Sequence, residues 1–282
     1  MQESLTFLQD LARKAGDIML ARRQHRIARF TKADGTWVSE VDLAISQMVC
    51  RAVAQFDKGC GLLTEETYDA SRPLGSRGFV IDELDGTRSY LLGRTGYTFQ
   101  AAWYAEGGQL QIGLIYDPVR DLMLYSVRGQ GVAVQSGQHL SRVAPPPYRP
   151  WNQLRYAHHR DLMTTTQQQM YRRLRVPAQR IVETGCVGSK VIDFAFGKVD
   201  ALVALNRFIG PWDWAPGKVI LEELGYRLSH VDGSPLALVH TSDSSYGYVV
   251  APPAHHEQLI HGLRWVQQRE VRRASPAVHA QS

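Results

Sequence analysis

The spacing of apolar residues changes along the 282-residue chain, and this change restricts the folds that the chain can adopt. Apolar side chains recur at helical spacing over residues 3–24 and again over 41–55, which predicts two amphipathic helices. From 78 to 137 the pattern becomes a series of short β-rich segments separated by Gly, Asp and Pro, which is typical of an antiparallel meander. Helices followed by a run of strands predict an α+β arrangement.

The second half of the chain is organised differently. Four prolines interrupt residues 142–152, which marks a boundary or a crossing segment. Beyond it, helical and strand patterns alternate, which predicts an α/β arrangement. We therefore predict an N-terminal α+β subdomain over 1–145 with most metal ligands, a C-terminal α/β subdomain over 146–270 that completes the site, and a disordered tail over 271–282.

Composition places the chain among ordinary soluble globular proteins, with 44% hydrophobic and 21% charged residues. No apolar run reaches membrane-spanning length, and the N-terminal residues lack the apolar core of a secretory signal, so we expect no membrane partner. Three cysteines without a CxxC spacing argue against a disulfide framework and favour a cytoplasmic location. The net charge of +5 comes from dispersed bases, so no nucleic-acid partner is expected.

The stretch VIDELDGT concentrates acidic and hydroxyl side chains where an apolar segment ends. Because side chains alternate along a strand, Asp82 and the backbone of Leu84 can face the same side of the strand end. Asp85 and Gly86 make the turn, and Thr87 begins a short helix whose first amides point toward any anion placed there. Carboxylates beside such amides can hold a divalent cation and a phosphate oxygen. The alternative is that these residues only cap the helix and form the turn.

Further acidic residues favour the chemical interpretation. Glu65 and Glu66 follow an apolar segment, where a strand would end. Asp213 directly precedes a predicted helix, and Asp42 begins the second helix. Magnesium prefers oxygen ligands, which suits a carboxylate cluster without histidine or cysteine. Two such ions about 4 Å apart would neutralise a phosphate monoester and generate hydroxide near neutral pH.

The ordered set of motifs resembles that of the inositol monophosphatase superfamily, the magnesium-dependent and lithium-sensitive phosphatases. The motifs are VSEVD (38–42), TEE (64–66), IDELDGT (81–87), GSKVIDFAFGKVDA (188–201) and PWDWAPG (211–217). The resemblance extends from the first helix to about residue 250. It implies a layered αβαβα sandwich that combines the α+β and α/β parts, sensitivity to lithium, and a homodimer.

The resemblance also implies a ligand set for two or three Mg²⁺ ions per site. Glu65, Asp82 and the carbonyl of Leu84 would hold the first ion. Asp82, Asp85 and Asp213 would hold the second ion.

Catalytic and substrate-binding roles are implied in the same way. Glu65 and Thr87 would position and deprotonate the attacking water. Asp42 would be hydrogen-bonded near Thr87 and could help a further, weaker metal. The residues implied to bind substrate are Asp85, Gly86, Thr87, Gly188, Ser189, Lys190, Asn206 and Asp213.

Several residues depart from the pattern of the superfamily. Glu83 stands where proline is usual, and strand alternation directs it away from Asp82, which predicts a solvent-exposed side chain. Asn206 stands where inositol-phosphate enzymes typically carry a glutamate that contacts a ring hydroxyl, so substrate preference stays open. Lys190 would contact a second anionic group of the substrate or be a solvent-facing helix residue.

Two departures fall in the motif PWDWAPG. Trp214 and Pro216 stand where small residues are commoner. We predict that Trp214 packs into the core and that Pro216 lies in the first turn of a helix, where proline is tolerated.

These observations predict a Mg²⁺-dependent phosphomonoesterase whose substrate is a small phosphorylated metabolite, a polyol or sugar, with inositol monophosphate first. The alternatives within the superfamily are phosphatases of 3′-phosphoadenosine 5′-phosphate, histidinol phosphate or fructose 1,6-bisphosphate. The alternative that is not an enzyme is a noncatalytic regulatory or interaction protein that retains the fold.

Overall fold

A computed structural model describes residues 1–23, 25–33, 35–69, 74–159, 165–205, 209–238 and 247–274. The α-helices in these ranges are α1 (Gln2–Arg22), α2 (Glu40–Phe56), α3 (Thr87–Leu91), α4 (Thr165–Arg173), α5 (Val187–Ala195), α6 (Pro211–Glu223) and α7 (Pro253–Ala274). The β-strands are β1 (Arg29–Thr31), β2 (Trp37–Ser39), β3 (Gly61–Thr64), β4 (Gly78–Asp85), β5 (Thr98–Ala105), β6 (Gln109–Asp117), β7 (Leu122–Val127), β8 (Val132–Ser136), β9 (His139–Val143), β10 (Tyr156–His159), β11 (Ile181–Thr184), β12 (Ala201–Ala204), β13 (Arg227–His230) and β14 (Tyr248–Ala251).

The strands form two large sheets and one hairpin. β3 to β9 lie in sequence order in a seven-stranded sheet, which is antiparallel except for the parallel pair β3–β4. The second sheet has five strands in the order β11-β10-β12-β14-β13, with β10 parallel to both of its neighbours. The meander predicted for 78–137 is therefore confirmed. The hairpin β1–β2 stands apart from both sheets.

Three apolar cores separate five layers. The first core lies between α1 and α2 and one face of the seven-stranded sheet, and it includes Leu8, Ile45 and Phe79. The second contains side chains of α5, α6 and both large sheets, such as Ile192 and Val250. The third joins the five-stranded sheet to α4 and α7. The predicted αβαβα sandwich is confirmed, and it follows from the need to cover each apolar sheet face with a helix layer.

The elements agree closely with the sequence pattern, with two differences. Pro216 is the sixth residue of α6 and so lies in its second turn, because the helix begins at Pro211, earlier than the pattern suggested. Helix α7 continues to Ala274, into the segment predicted as a tail, and residues 275–282 lie outside the described ranges. The subdomain boundary at 145 stays a prediction.

The prediction that Trp214 packs into the core is confirmed. Trp214 is 6% exposed and belongs to the second core. The three cysteines carry free thiols. Across the described ranges, no helix is both long enough and apolar enough to cross a membrane.

Gly113 lets helix α6, which carries Asp213, lie directly on strand β6. A Cβ atom at Gly113 would stand 2.2 Å from the carbonyl oxygen of Pro216, which is backbone and cannot rotate away. We expect Gly113→Ala to lower the free energy of unfolding by about 3 kcal/mol, measured by denaturant titration. The control is Gly59→Ala, whose added atom would approach side chains only, Asp57 at 3.2 Å and Arg77 at 3.8 Å. Equal unfolding midpoints for the two variants would contradict this close packing.

Candidate metal and phosphate site

The site begins where β4 turns into α3. The pairing of β4 with β5 shifts register between Asp82 and Asp85, so the strand bends at this point. Gly86 follows with φ at +92°, a conformation that favours glycine, and an added Cβ would lie 2.9 Å from the Cβ of Cys186. Thr87 then begins α3. Glycine is therefore needed at position 86 to make this turn, apart from any chemistry.

Three aspartates converge beside this turn. Asp82, Asp85 and Asp213 each place a carboxylate oxygen within 4.8 Å of the others. Two of them come from the end of β4, and Asp213 comes from the first turn of α6, where its Oδ2 accepts a hydrogen bond from the backbone amide of Gly210 at 2.7 Å. The middle of the fold thus brings together residues that lie about 130 positions apart in the sequence.

The electrostatics of the cluster are unfavourable without a cation. Burial raises the pKa of Asp82 well above its ordinary value, and the charges of Glu65, Asp85 and Asp213 raise it further. Enclosure and the charges of Glu65 and Asp85 likewise raise the pKa of Asp213. Ionised carboxylates this close repel one another, so the cluster would be stabilised by a positive charge.

Asp85 is fixed by hydrogen bonds from two other elements. Its Oδ2 accepts from the amide of Gly188 at 2.6 Å, and its Oδ1 accepts from the amide of Val187 at 3.2 Å. The hydroxyl of Thr98 on β5 donates to Oδ2 at 3.1 Å. The N-terminus of α5 therefore orients Asp85.

Thr87 is joined to Asp42 on α2. The Thr87 hydroxyl lies 2.8 Å from Asp42 Oδ1 and 3.2 Å from the carbonyl oxygen of Leu84. Asp42 Oδ2 accepts from the backbone amide of Ser39 at 2.8 Å and from the Ser39 hydroxyl, which completes a capping box at the start of α2. Burial raises the pKa of Asp42 despite these hydrogen bonds. The cap holds Asp42 in place to accept the hydrogen bond from the Thr87 hydroxyl.

Lys32, from the hairpin β1–β2, binds both glutamates that follow β3. Its Nζ lies 2.7 Å from Glu65 Oε1 and 2.8 Å from Glu66 Oε1. Burial raises the pKa of Glu66 to about 7, an effect that Lys32 only partly offsets. Glu65, whose charge raises the pKa of Asp82 and of Asp213, therefore has the ammonium group of Lys32 as its partner.

The donor set fits magnesium. The oxygen atoms belong to carboxylates, which are hard ligands, and their negative charge is not balanced by hydrogen bonds alone. Glu65 does not belong to the group of carboxylates within 4.8 Å of one another, although its charge raises the pKa of Asp82. The carbonyl oxygen of Leu84 lies 3.2 Å from the Thr87 hydroxyl. The cluster has no soft ligand that would favour a thiophilic metal.

The structure separates the predicted substrate-binding residues into two groups. The first group is at the cluster: Asp85 and Asp213 belong to it, and Gly86 and Thr87 directly follow Asp85. Gly188, Ser189 and Lys190 instead are buried in α5, and the Gly188 amide is already used by Asp85. Lys190 is 5% exposed and its Nζ donates to the carbonyl of Gly185 at 2.8 Å, so the solvent-facing alternative is wrong. Its contact with a second substrate anion stays a prediction. Asn206 lies outside the described residues.

The predicted solvent exposure of Glu83 is wrong. Its side chain is 1% exposed, because the face of β4 opposite Asp82 is covered by α2. Burial raises the pKa of Glu83 to about 8, in a polar pocket beside Ser46 and Thr64, so the carboxyl is mostly protonated at neutral pH. Alternation along the strand gave no information about what covers the other face.

Three contacts were not anticipated from the sequence. Lys32 carries no recognisable motif, since a single lysine in a hairpin has no spacing to mark it. Thr98 and the Val187 amide reach Asp85 only because β5 and α5 pack beside β4. The signal available in the sequence was Gly188, because a glycine permits the close approach of α5 to β5. An added Cβ at Gly188 would lie 2.2 Å from the Thr98 hydroxyl oxygen.

The five-layer fold and the acidic cluster define a layered sandwich with three converging carboxylates that could hold a cation. The profile of the Inositol monophosphatase family matches residues 1–268, and the chain belongs to this family.

Individual relatives carry different names. The chain is 28% identical over 229 residues to a histidinol-phosphatase of Chlorobaculum parvum, covering 80% of this chain and 85% of the relative. It is 23% identical over 265 residues to the Nus factor SuhB of Pasteurella multocida, covering 90% and 92%. The fold is similar to that of an IMPase/NADP phosphatase solved with Mg²⁺ and phosphate, with a TM-score of 0.78, 19% identity, and coverage of 93% of this chain and 95% of that one.

Proposed function

We propose that the protein is a Mg²⁺-dependent phosphomonoesterase that hydrolyses a small phosphorylated polyol or sugar, with inositol monophosphate as the first candidate. The observation that carries the proposal is the cluster of Asp82, Asp85 and Asp213 beside a threonine hydroxyl that is bonded to Asp42. Membership of the family supports the same chemistry. The structure of a similar fold that contains Mg²⁺ and phosphate supports the choice of metal.

The ligands we propose for two or three ions are the three clustered aspartates, Glu65 and the carbonyl of Leu84. When bound there, Mg²⁺ supplies positive charge for the phosphate oxygens and lowers the pKa of water. Glu65 is paired with Lys32 in this structure, so this ion pair competes with metal binding by Glu65.

The protein's own groups would orient the nucleophile and the phosphate. The Thr87 hydroxyl donates its hydrogen bond to Asp42. The lone pairs of the Thr87 oxygen are therefore free to accept a hydrogen bond from the attacking water. Glu65 would take the proton that this water releases. The backbone amides of Gly86 and Thr87 would donate to the phosphate.

The test is phosphate release from inositol 1-phosphate, fructose 1,6-bisphosphate, 3′-phosphoadenosine 5′-phosphate, histidinol phosphate and NADP, each with MgCl₂ or with EDTA. We expect magnesium-dependent turnover of one compound well above the others. Turnover that persists in EDTA would contradict the metal assignment. Binding of Mg²⁺ without turnover of any compound would favour a noncatalytic protein, a possibility that the similarity to SuhB keeps relevant.

We further propose a cytoplasmic homodimer that lithium inhibits. The free thiols are typical of proteins kept in a reducing compartment. Lithium titration of the magnesium-supported activity tests the inhibition. Light scattering of the purified protein tests the homodimer.

A further inference from the structure

Lys190 is a buried lysine behind the carboxylate cluster. It lies in the first turns of α5 and is 5% exposed, and among the described residues its Nζ donates to one acceptor, the carbonyl oxygen of Gly185 at 2.8 Å. An ammonium group taken out of water is costly unless nearby charges compensate. The surroundings of Lys190 must therefore supply negative charge.

That negative charge comes from the candidate metal ligands. Burial lowers the pKa of Lys190, while the negative charges of Asp85 and Asp213, and to a smaller extent that of Asp193, act in the opposite direction. The relation is mutual, because Lys190 lowers the pKa of Asp213. Lys190 and Asp213 also line the same small cavity, together with Tyr248.

The cavity that Lys190 lines is too small to hold a second substrate anion. Its volume is about 10 Å³, which is at most the space for a single water molecule. A phosphate group does not fit. The charge of Lys190 therefore acts on the protein's own carboxylates.

Lys190 also fixes the turn that holds Asp85. The carbonyl that it binds belongs to Gly185, and the amides of Val187 and Gly188, two and three residues later, donate to Asp85. The lysine thus has two separable effects, one through its charge and one through its hydrogen bond.

We propose that Lys190 is a built-in counter-cation of the carboxylate cluster, which balances Asp85 and Asp213 before metal binds and thereby weakens the affinity of the site for divalent cations. The inference rests on the proposed function, because it assumes that the cluster binds such a cation. Lys190 is a positioning residue in this account, since it acts through the aspartates and does not touch the substrate. Its consequence is a higher magnesium concentration for half-saturation.

The test compares Mg²⁺ binding by calorimetry, without substrate, in the wild type, Lys190→Gln and Lys190→Met. Glutamine removes the charge and keeps an N–H donor on a side chain one bond shorter than lysine, whereas methionine removes both the charge and the donor. We expect Lys190→Gln to bind Mg²⁺ about tenfold more tightly than the wild type. The control is Lys198→Gln, an exposed lysine paired with Asp193 at 3.1 Å, for which we expect no change.

The sign of the effect separates the two roles of the lysine. If Lys190 only positions the turn, Lys190→Met will bind Mg²⁺ more weakly and Lys190→Gln will match the wild type, which would overturn the proposal. If the wild type binds no Mg²⁺, the metal site itself and with it the proposed function fail. Thermal unfolding of each variant in EDTA shows whether it is folded.

Discussion

Asp82→Asn is expected to lower kcat for magnesium-dependent phosphate release by about a thousandfold. Asp82 is 2% exposed, has a carboxylate oxygen within 4.8 Å of those of the other two aspartates, and is a proposed ligand of both ions. Asparagine has almost the same shape and keeps an acceptor for the amide of Leu84, which lies 3.2 Å from Asp82 Oδ1. The substitution therefore removes the charge with little change in packing.

The same variant is expected to be more stable than the wild type when no metal is present. The pKa of Asp82 is raised in the folded protein, so the ionised form opposes folding at pH values above the ordinary range of an aspartate. At a pH below that range the carboxyl is protonated in both states, and the difference between the variants should disappear. Thermal unfolding in EDTA as a function of pH measures this gain.

Asp10→Asn, on the exposed face of α1, is the matched control for both measurements. We expect it to retain wild-type activity and to show no gain in stability. An Asp82→Asn variant with more than a tenth of wild-type activity would contradict the ligand assignment. A variant that is inactive and also less stable would indicate a structural role for the carboxylate instead.

Thr87→Val is expected to lower kcat by about a hundredfold with little change in KM, because the side chain keeps its shape and loses the hydroxyl. That hydroxyl is the group that donates to Asp42 at 2.8 Å and is left to accept a hydrogen bond from water. Thr87→Ser keeps the hydroxyl and should retain most of the activity. Steady-state kinetics of both variants at saturating magnesium make the comparison.

Equal losses in Thr87→Val and Thr87→Ser would contradict a role for the hydroxyl alone, because serine keeps the hydroxyl and valine keeps the methyl group. Equal and high activity in both would remove Thr87 from the proposed mechanism. Either result would leave the metal ligands untouched, since Thr87 is proposed to orient water and phosphate only.

The sequence was informative where a local pattern determines the structure. The helical spacing in α1 and α2 and the short alternating strands predicted the elements of the first half, because burial of one face imposes these periods. The Asp-Gly turn predicted that Asp82, Asp85 and Thr87 lie around one point. Asp213 was added by resemblance, and the structure places it within 4.8 Å of the other two aspartates.

The sequence was uninformative where packing between distant elements decides the outcome. Whether Glu83 meets solvent depends on α2, which lies elsewhere in the chain. Whether Gly188 and Lys190 are exposed depends on the close approach of α5 to β5, which buries both residues. Lys32 reaches Glu65 and Glu66 only because the hairpin β1–β2 folds over the end of β3.

The most direct test of the account is a crystal structure of the protein grown with MnCl₂ and phosphate, with anomalous scattering recorded for manganese. We expect anomalous peaks coordinated by the carboxylates of Asp82, Asp85 and Asp213, with phosphate next to them and close to Thr87. Manganese bound elsewhere on the protein, with these carboxylates unliganded, would contradict the claim that they form the metal site.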